Sequence, residues 1–408
     1  MRPLKPVLAA FVTTAVTTHF SFAAWPSLDE VARRAQARAP ALAEARGQVA
    51  AAQASVAGAR MSAVQNPYVE MFSDTGKYTK DLQVQANFWL PIELAGQRGA
   101  RIAEAEQLVK LRSRNLTEAR ARILGECVVA YGDLMVLAAR LEQAKEQEDH
   151  SRAELQYFTG KLAAQDATLY EKSSAEAELG RWVQQRMEIE VELVSARSRL
   201  AILMGVPTIE LPPPIASLQL PPLRIPFTDG QAGDLARRSP LVASLMTEAE
   251  YWSANKERAA AERSVPVNFI VSLGRGDTGE ARYGGGVSWT FPLLQRNQGP
   301  IARAEAERTR TLDVRQTAEQ ALESRARSLY EMMRVANDAL KAIDANSIPA
   351  AIRVVDAAMQ SWKAGKAEVL KVWLARRDLA SSRARRLDLV GVGFRAYGEL
   401  AALRGELP

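Results

Sequence analysis

The sequence has few of the side chains from which enzymes build covalent or metal chemistry. Its 408 residues include one cysteine and two histidines. His19 lies near the N-terminus, so Cys127 and His150 are what the rest of the chain offers. Histidine-cysteine metal cages need several such residues, and a nucleophile-histidine dyad would have to rely on His150 alone. The composition therefore predicts no enzyme, no cofactor and no metal site.

A single cysteine also excludes an intrachain disulfide. Cys127 lies in an apolar run with Val128 and Val129, where we expect it to be a small buried residue. His150 follows an acidic segment and is expected to be a solvated helix residue. Carboxylates elsewhere alternate with lysine and arginine at helical spacing, which predicts an exposed helical surface and no nucleic-acid-binding stripe.

Long apolar runs are missing beyond the first 24 residues. Arg2 and Lys5 precede an apolar segment that ends in Ser21–Ala23, a small-x-small pattern. This order predicts a cleaved signal peptide over residues 1–23, and hence export. A transmembrane anchor is the alternative, but the apolar segment is shorter than the roughly 20 residues that a spanning helix needs.

Proline is absent from Ile92 to Val206, which predicts very long helices and an elongated molecule. Within this stretch apolar residues recur every seven positions, namely Ala175, Trp182, Ile189, Ala196 and Leu203. A strict seven-residue repeat is typical of coiled coils, whose narrow seam faces a neighbouring helix. An ordinary amphipathic bundle is the alternative interpretation.

Two halves of the chain share one plan. The shared landmarks lie 199 to 201 residues apart, and they are Pro40 and Pro240, Pro67 and Pro266, Pro91 and Pro292, and Leu200–Gly205 and Leu400–Gly405. We therefore predict a first repeat over residues 24–207, a proline-rich linker over 208–229 and a second repeat over 230–408. Each repeat is expected to contain a helix, two short strands, a very long helix and a further helix.

Alternating side chains predict strands at about 67–73, 82–90, 267–273 and 283–291. The residues taken as marking the apolar face are Leu82, Val84, Phe88, Val267, Phe269 and Trp289. The lengths of these segments approach that of a tilted strand that crosses a bilayer, which needs about ten residues. A barrel in lipid can have no free edge, so several chains would each supply a part of it. The alternative is a soluble protein whose hairpins pack on its own helices.

Three phrases carry a resemblance to a known family: Gln65–Pro67, Leu90–Arg98 and Phe291–Gly299. With the duplicated plan, they resemble the TolC-type outer-membrane efflux factors over nearly the whole mature chain, and within them the CzcC-type branch of cobalt, zinc, cadmium and copper efflux. The resemblance implies a mainly α fold with a small β part. In it, a long antiparallel α-helical coiled-coil barrel continues a transmembrane β-barrel, with four strands per chain and twelve per homotrimer.

The same resemblance implies a passive exit duct in the outer membrane of a Gram-negative bacterium that extends into the periplasm. An RND-type inner-membrane pump and a periplasmic adaptor would deliver the substrate, with heavy-metal cations as first choice. Drug efflux or type I protein secretion is the alternative, and a periplasmic coiled-coil scaffold is a second one. Two glycine-containing segments resemble the helical tips where the adaptor docks, and the expected docking residues are Gly160, Lys161, Leu162, Asp166, Gly365, Lys366 and Glu368.

The helix after the second tip departs from the best-known members of that family. Those carry aspartates there, whereas this sequence has Lys371–Leu374. If Lys371 faces the lumen, three copies of it would form a positive constriction. The sequence thus predicts no selective cation gate at this level.

Overall fold

The computed structural model describes residues 25–62, 65–75, 82–208, 211–212, 214, 229–264, 266–276 and 278–408. The expected signal peptide and nearly all of the expected linker lie outside these ranges. Within them the chain is mainly helical with one small sheet, which confirms the predicted fold class.

The first half of the chain contains α1 (Leu28–Arg38), α2 (Ala43–Ala59), β1 (Tyr68–Thr75), β2 (Leu82–Ile92), α3 (Gln97–Ala163) and α4 (Leu169–Met204). The second half contains α5 (Asp229–Arg238), α6 (Pro240–Ala261), β3 (Val267–Arg275), β4 (Ala281–Ser288), α7 (Gln298–Ala342), α8 (Ile348–Lys363) and α9 (Val369–Arg404). The order of elements after α1 is repeated after α5, except that the long helix of the second half is divided into α7 and α8.

The long helices follow from the placement of proline. Helix α3 has 67 residues, so at 1.5 Å per residue it extends for about 100 Å. In the second half, a π-helical turn at Ile343–Ser347 separates α7 from α8. Pro349 comes directly after this turn, in the first turn of α8. Because proline has no backbone N–H, the regular hydrogen-bond ladder cannot run through this position, and the wider turn accommodates it.

The helices form a layer in which α3 packs against both α4 and α9, while α9 packs against α7 and α8. The seven-residue pattern in α4 marks its buried side, where Ala175, Trp182 and Ile189 are each at most 9% exposed. Leu124 and Val128 of α3 pack with Leu387, Val390 and further side chains of α9 in one apolar core.

Two glycines let α3 and α9 approach closely in this core. A Cβ atom on Gly125 would lie 2.7 Å from the carbonyl oxygen of Gly398 and 2.8 Å from the Cβ of Ala402. A Cβ atom on Gly398 would in turn lie 2.7 Å from the carbonyl oxygen of Gly125. These distances leave no room for any side chain, so the two helix backbones are in direct contact.

The sheet has the order β1-β2-β3-β4 with every neighbouring pair antiparallel. The central pair, β2 with β3, joins the two repeats. Strand β4 ends at Ser288, opposite Asn268, whereas the sequence predicted a strand that includes Trp289 and reaches residue 291. Trp289 would be the next residue of β4, opposite Val267, which is the first residue of β3.

We expect Gly125→Ala to destabilise the protein by about 1–3 kcal/mol, because the new methyl group would force α3 and α9 apart. Gly180→Ala in α4 is the matched control, since a Cβ atom there meets nothing within 4 Å. That control should gain about 0.5–1 kcal/mol from the better helix propensity of alanine. Thermal unfolding followed by circular dichroism measures both, and equal melting temperatures for the two variants would contradict the close-contact interpretation.

Candidate functional surfaces of the sheet and the helical tips

One face of the sheet is apolar and exposed. Val271 in β3 lies between Phe88 of β2 and Gly285 of β4, and this face continues along all strands. Its large side chains are Val69, Met71, Leu82, Phe88, Leu90, Phe269, Val271, Leu273, Tyr283 and Val287, and each of them is 39–85% exposed. An apolar patch of this size on one face is costly in water and marks contact with a membrane or a partner.

The opposite face is mainly polar, although Phe72 and Ile270 also lie on it. It carries Gln83, Gln85, Asn87, Ser272 and Arg282, and the Gln85 side-chain amide donates to the Asn87 side chain at 2.9 Å. Apolar residues outside and polar residues inside, in strict alternation, are the pattern of strands in outer-membrane barrels.

Aromatic pairs lie at the end of the sheet where the strands meet the helices. Tyr68 stacks on Trp89 with ring centroids 5.6 Å apart, and Trp289 contacts Phe291 at 4.5 Å. Tyrosine and tryptophan favour the interface between lipid and water. Of the strand residues expected from the sequence, Leu82, Val84 and Phe88 lie in β2, Val267 and Phe269 lie in β3, and Trp289 follows β4.

Strands β1 and β4 are the two edges of the sheet, and within the described residues neither has a second strand beside it. An edge strand presents a row of N–H and C=O groups that can pair with another chain. The sheet is therefore open on both sides.

At the far ends of the helices, both reversals use the same turn. The Asp166 N–H donates to the Lys161 carbonyl at 2.8 Å, and the Lys366 N–H donates to the Ser361 carbonyl at 2.9 Å. Each turn contains one left-handed residue, Gln165 with φ 61° or Gly365 with φ 68°. This is the Schellman arrangement that ends a helix. We call these two turns the tips.

Gly160, expected to permit the first reversal, lies inside α3 instead. The left-handed position belongs to Gln165, at a cost of roughly 1–2 kcal/mol that only glycine escapes. A glutamine gives no sequence signal for such a turn, so its role was missed. Lys161 and Leu162 lie in the last turn of α3. The remaining expected docking residues, Asp166, Gly365, Lys366 and Glu368, all lie in the two tips.

An aromatic cluster holds the two tips together. Tyr157 makes edge-to-face contacts with Phe158 at 5.3 Å and with Trp362 at 5.4 Å between ring centroids. Phe158 and Trp373 are buried beside it. Next to this cluster, a cleft of about 950 Å³ opens between the tips, and Lys161, Gly365 and Glu368 are among the residues that line it.

Buried carboxylates connect the helices behind the tips. Glu154 of α3 accepts a hydrogen bond from the Trp373 indole N–H at 2.7 Å and forms an ion pair with Arg376 of α9. Glu178 of α4 accepts from the Trp182 indole N–H at 3.0 Å. Glu178 also forms an ion pair with Arg377 of α9.

The sequence predicted solvated carboxylates, but Glu148, Glu154 and Glu178 are only 5–7% exposed. Trp373 is 219 positions from Glu154, so helical spacing could not reveal their contact. A buried charge is tolerated because each carboxylate accepts hydrogen bonds from at least one arginine, and Glu154 and Glu178 also accept one from an indole N–H. Helix α9 is thereby bound to both α3 and α4.

The remaining candidate residues are Cys127, His150 and Lys371. Cys127 is buried, which raises the pKa of its thiol to about 12, and His150 is exposed, with its Nε2 3.9 Å from a carboxylate oxygen of Glu146. Lys371 is exposed in the first turn of α9, and its backbone N–H donates to the Glu368 carbonyl.

In the described part of the chain, no group of three or more potential ligands could hold a metal ion. Among the same residues, no helix combines the length and apolarity needed to cross a membrane.

We expect Glu154→Gln to destabilise the tip region by on the order of 3 kcal/mol, because Arg376 would keep its charge at a buried site without a counter-ion. Glu146→Gln is the control. Glu146 of α3 also pairs with an arginine of α9, Arg383, but the Glu146 side chain is 48% exposed. The loss of stability in this variant should therefore stay below about 1 kcal/mol. Hydrogen exchange at residues 150–180 measures both, and unchanged protection in Glu154→Gln would refute the expectation.

Known proteins with this architecture provide a further comparison. No family model matches the chain. Over 348 residues, which are 84% of this chain and 81% of the relative, the sequence is 26% identical to the cobalt-zinc-cadmium resistance protein CzcC of Cupriavidus metallidurans.

Two solved outer-membrane channels have a similar fold. CmeC of Campylobacter jejuni matches with a TM-score of 0.75 and 14% identity over 93% of this chain and 86% of its own. MtrE of Neisseria gonorrhoeae, in its open state, matches with a TM-score of 0.69 and 14% identity over 93% and 89%. The resemblance inferred from the sequence is confirmed: this chain has the fold of the TolC-type outer-membrane efflux channels and is similar in sequence to CzcC.

Proposed function

We propose that this chain is the outer-membrane exit duct of a tripartite efflux system. The observation that carries the proposal is the open sheet, which has an exposed apolar face, a polar face and two free edges. Lipid would cover the apolar face, and water in a lumen would solvate the polar face. A periplasmic scaffold of coiled coils would need no such sheet.

Sister copies would close the ring. The outer helices of the layer expose apolar side chains along one stripe, Met187, Val191 and Val194 in α4 and Met332 and Val335 in α7. The α4 residues are spaced by four and three positions, so they share one face of the helix. A second copy packed on these edges would bury both stripes. Three copies would give the twelve strands that the family resemblance implies.

The tips are the proposed docking site for a periplasmic adaptor. They form the end of the molecule opposite the sheet, and the cleft between them presents lysines and carboxylates beside an aromatic cluster. Energy and selection would belong to an RND-type pump in the inner membrane, because the described residues offer a conduit and no catalytic constellation.

Heavy-metal cations are the proposed substrate, and the support is the similarity to CzcC, a cobalt-zinc-cadmium resistance protein. We expect a deletion strain to lose resistance to zinc, cobalt or cadmium, and a plasmid copy to restore it. Growth across a series of metal concentrations, with membrane fractionation of the restored protein, measures this. Unchanged metal tolerance combined with sensitivity to drugs would move the proposal to drug efflux, and recovery of the protein in the soluble periplasm would overturn it.

Adaptor docking at the tips predicts proximity crosslinks. A photoreactive residue at Lys366, which is exposed in the second tip, should capture the adaptor in cells that express the whole pump. The same photoreactive residue at Lys110, which is exposed near the start of α3, is the control and should capture little adaptor. Equal capture at both positions would place the adaptor elsewhere.

Lys371 is proposed to contribute positive charge to the lumen near the tips. We expect Lys371→Glu to shift conductance of the purified channel toward cations at low salt, because screening then is weakest. Reversal potentials in planar bilayers under a salt gradient measure the shift, and Lys110→Glu serves as a charge-matched control. Strong cation selectivity of the unsubstituted protein would contradict a positive constriction.

A further inference from the structure

The two halves of the chain provide an internal template for a contact between copies. Within one chain, β2 of the first repeat pairs with β3 of the second. In a closed ring, β4 of the second repeat would meet β1 of the next copy's first repeat in the equivalent way. The known β2–β3 register can therefore be transferred to the unknown β4–β1 junction, once the repeats are aligned position by position.

The segments that follow β2 and β4 fix one part of that alignment. The Ala95 N–H donates to the Gln97 side-chain oxygen at 2.8 Å, and the Arg296 N–H donates to the Gln298 side-chain oxygen at 2.8 Å. The residues between them, Gly96 and Asn297, are both left-handed, with φ 77° and 55°. Gly96 and Asn297 are thus equivalent positions, and their separation along the chain relates the β2 segment to the β4 segment.

The hairpin registers fix the other part. Asn87 of β2 pairs with Glu70 of β1, and Ser288 of β4 pairs with Asn268 of β3. The separation between Asn87 and Ser288 along the chain equals that between Gly96 and Asn297, so Ser288 is the equivalent of Asn87. Their pairing partners in the hairpins, Glu70 and Asn268, are therefore equivalent as well. This alignment differs by one position from the sequence landmarks Pro67 and Pro266, and it makes the exposed apolar face of β1 coincide with that of β3.

We infer that β4 of one copy pairs with β1 of the next in the register that places Phe291 opposite Met71. The template is the pair Leu90–Phe269, and the neighbouring pair Ile92–Val267 places Leu293 opposite Val69. This inference rests on the proposed function, because it requires that copies of the chain assemble through their sheets.

The inferred register explains why β4 is short in a single chain. The last residues of β2, Leu90–Ile92, pair with β3 alone, because β1 begins at Tyr68 opposite Trp89. Their equivalents, Phe291–Leu293, would pair with β1 of the next copy alone. In one chain the Leu293 N–H donates instead to the Phe291 carbonyl at 2.9 Å. Assembly would replace this local bond and extend β4 to Leu293.

Side-chain chemistry agrees with the register. Met71 is 73% exposed and Phe291 64% exposed in the chain, and both would join the apolar face. Pro292 is no obstacle, because Pro91 occupies the equivalent place in the β2–β3 ladder. A shift by a single position would bring Phe291 opposite Glu70 or Phe72, which lie on the other face of β1.

Disulfide mapping in the full-length protein tests the register. In a Cys127→Ala background, Met71→Cys is combined with Phe291→Cys, and Phe72→Cys with Thr290→Cys. Neighbouring antiparallel pairs alternate between wide and close spacing, so one of these two combinations has the geometry of a disulfide. After oxidation in isolated membranes, we expect at least one of them to give several-fold more covalent oligomer on non-reducing gels than any shifted pair.

The shifted pairs combine Phe291→Cys with Val69→Cys or with Ser73→Cys. Stronger crosslinking of a shifted pair would overturn the register while leaving the assembly intact. Oligomers of native mass without any crosslink would overturn pairing between β4 and β1. A monomer of native mass in membranes would overturn the proposed function itself.

Discussion

The requirement that lipid imposes on the peptide backbone governs this molecule. In a bilayer no water satisfies an unpaired N–H or C=O group, so a sheet there must have no edge. The described residues form a sheet with an exposed apolar face and two open edges. The helical layer is open in the same manner, with apolar stripes on α4 and α7. In the proposed assembly the chain is one segment of a ring, and the neighbouring segments would cover these surfaces.

The core of the helical layer and the region near its tips are held together by different interactions. In the core, α3 and α9 are in direct backbone contact at Gly125 and Gly398, and no charged group takes part in this contact. Near the tips, α9 is bound to α3 and α4 through Glu154 and Glu178, whose partners are arginines. The layer is therefore held by close backbone packing in its core and by buried ion pairs near its tips.

Much of the architecture could be predicted because it follows local rules. Alternation indicated the strands, the absence of proline indicated the long helices, and the repeated landmarks indicated the duplicated order of elements. What escaped prediction depends on tertiary context. Gln165 adopts a left-handed turn without a glycine, and Glu154 meets Trp373 across 219 positions. The end of β4 at Ser288 also differs from the alternating pattern, which continues to Phe291.

The tips differ in one respect that has a consequence for any partner. At the first tip Thr168 and Glu171 cap α4 reciprocally, whereas Glu368 precedes α9 without a side-chain cap. Around a ring of identical copies, tips with a side-chain cap on the following helix would alternate with tips that lack one. A partner protein that surrounds the ring with identical subunits would then meet two chemically different binding sites in alternation. Its subunits would bind these two sites with different affinities.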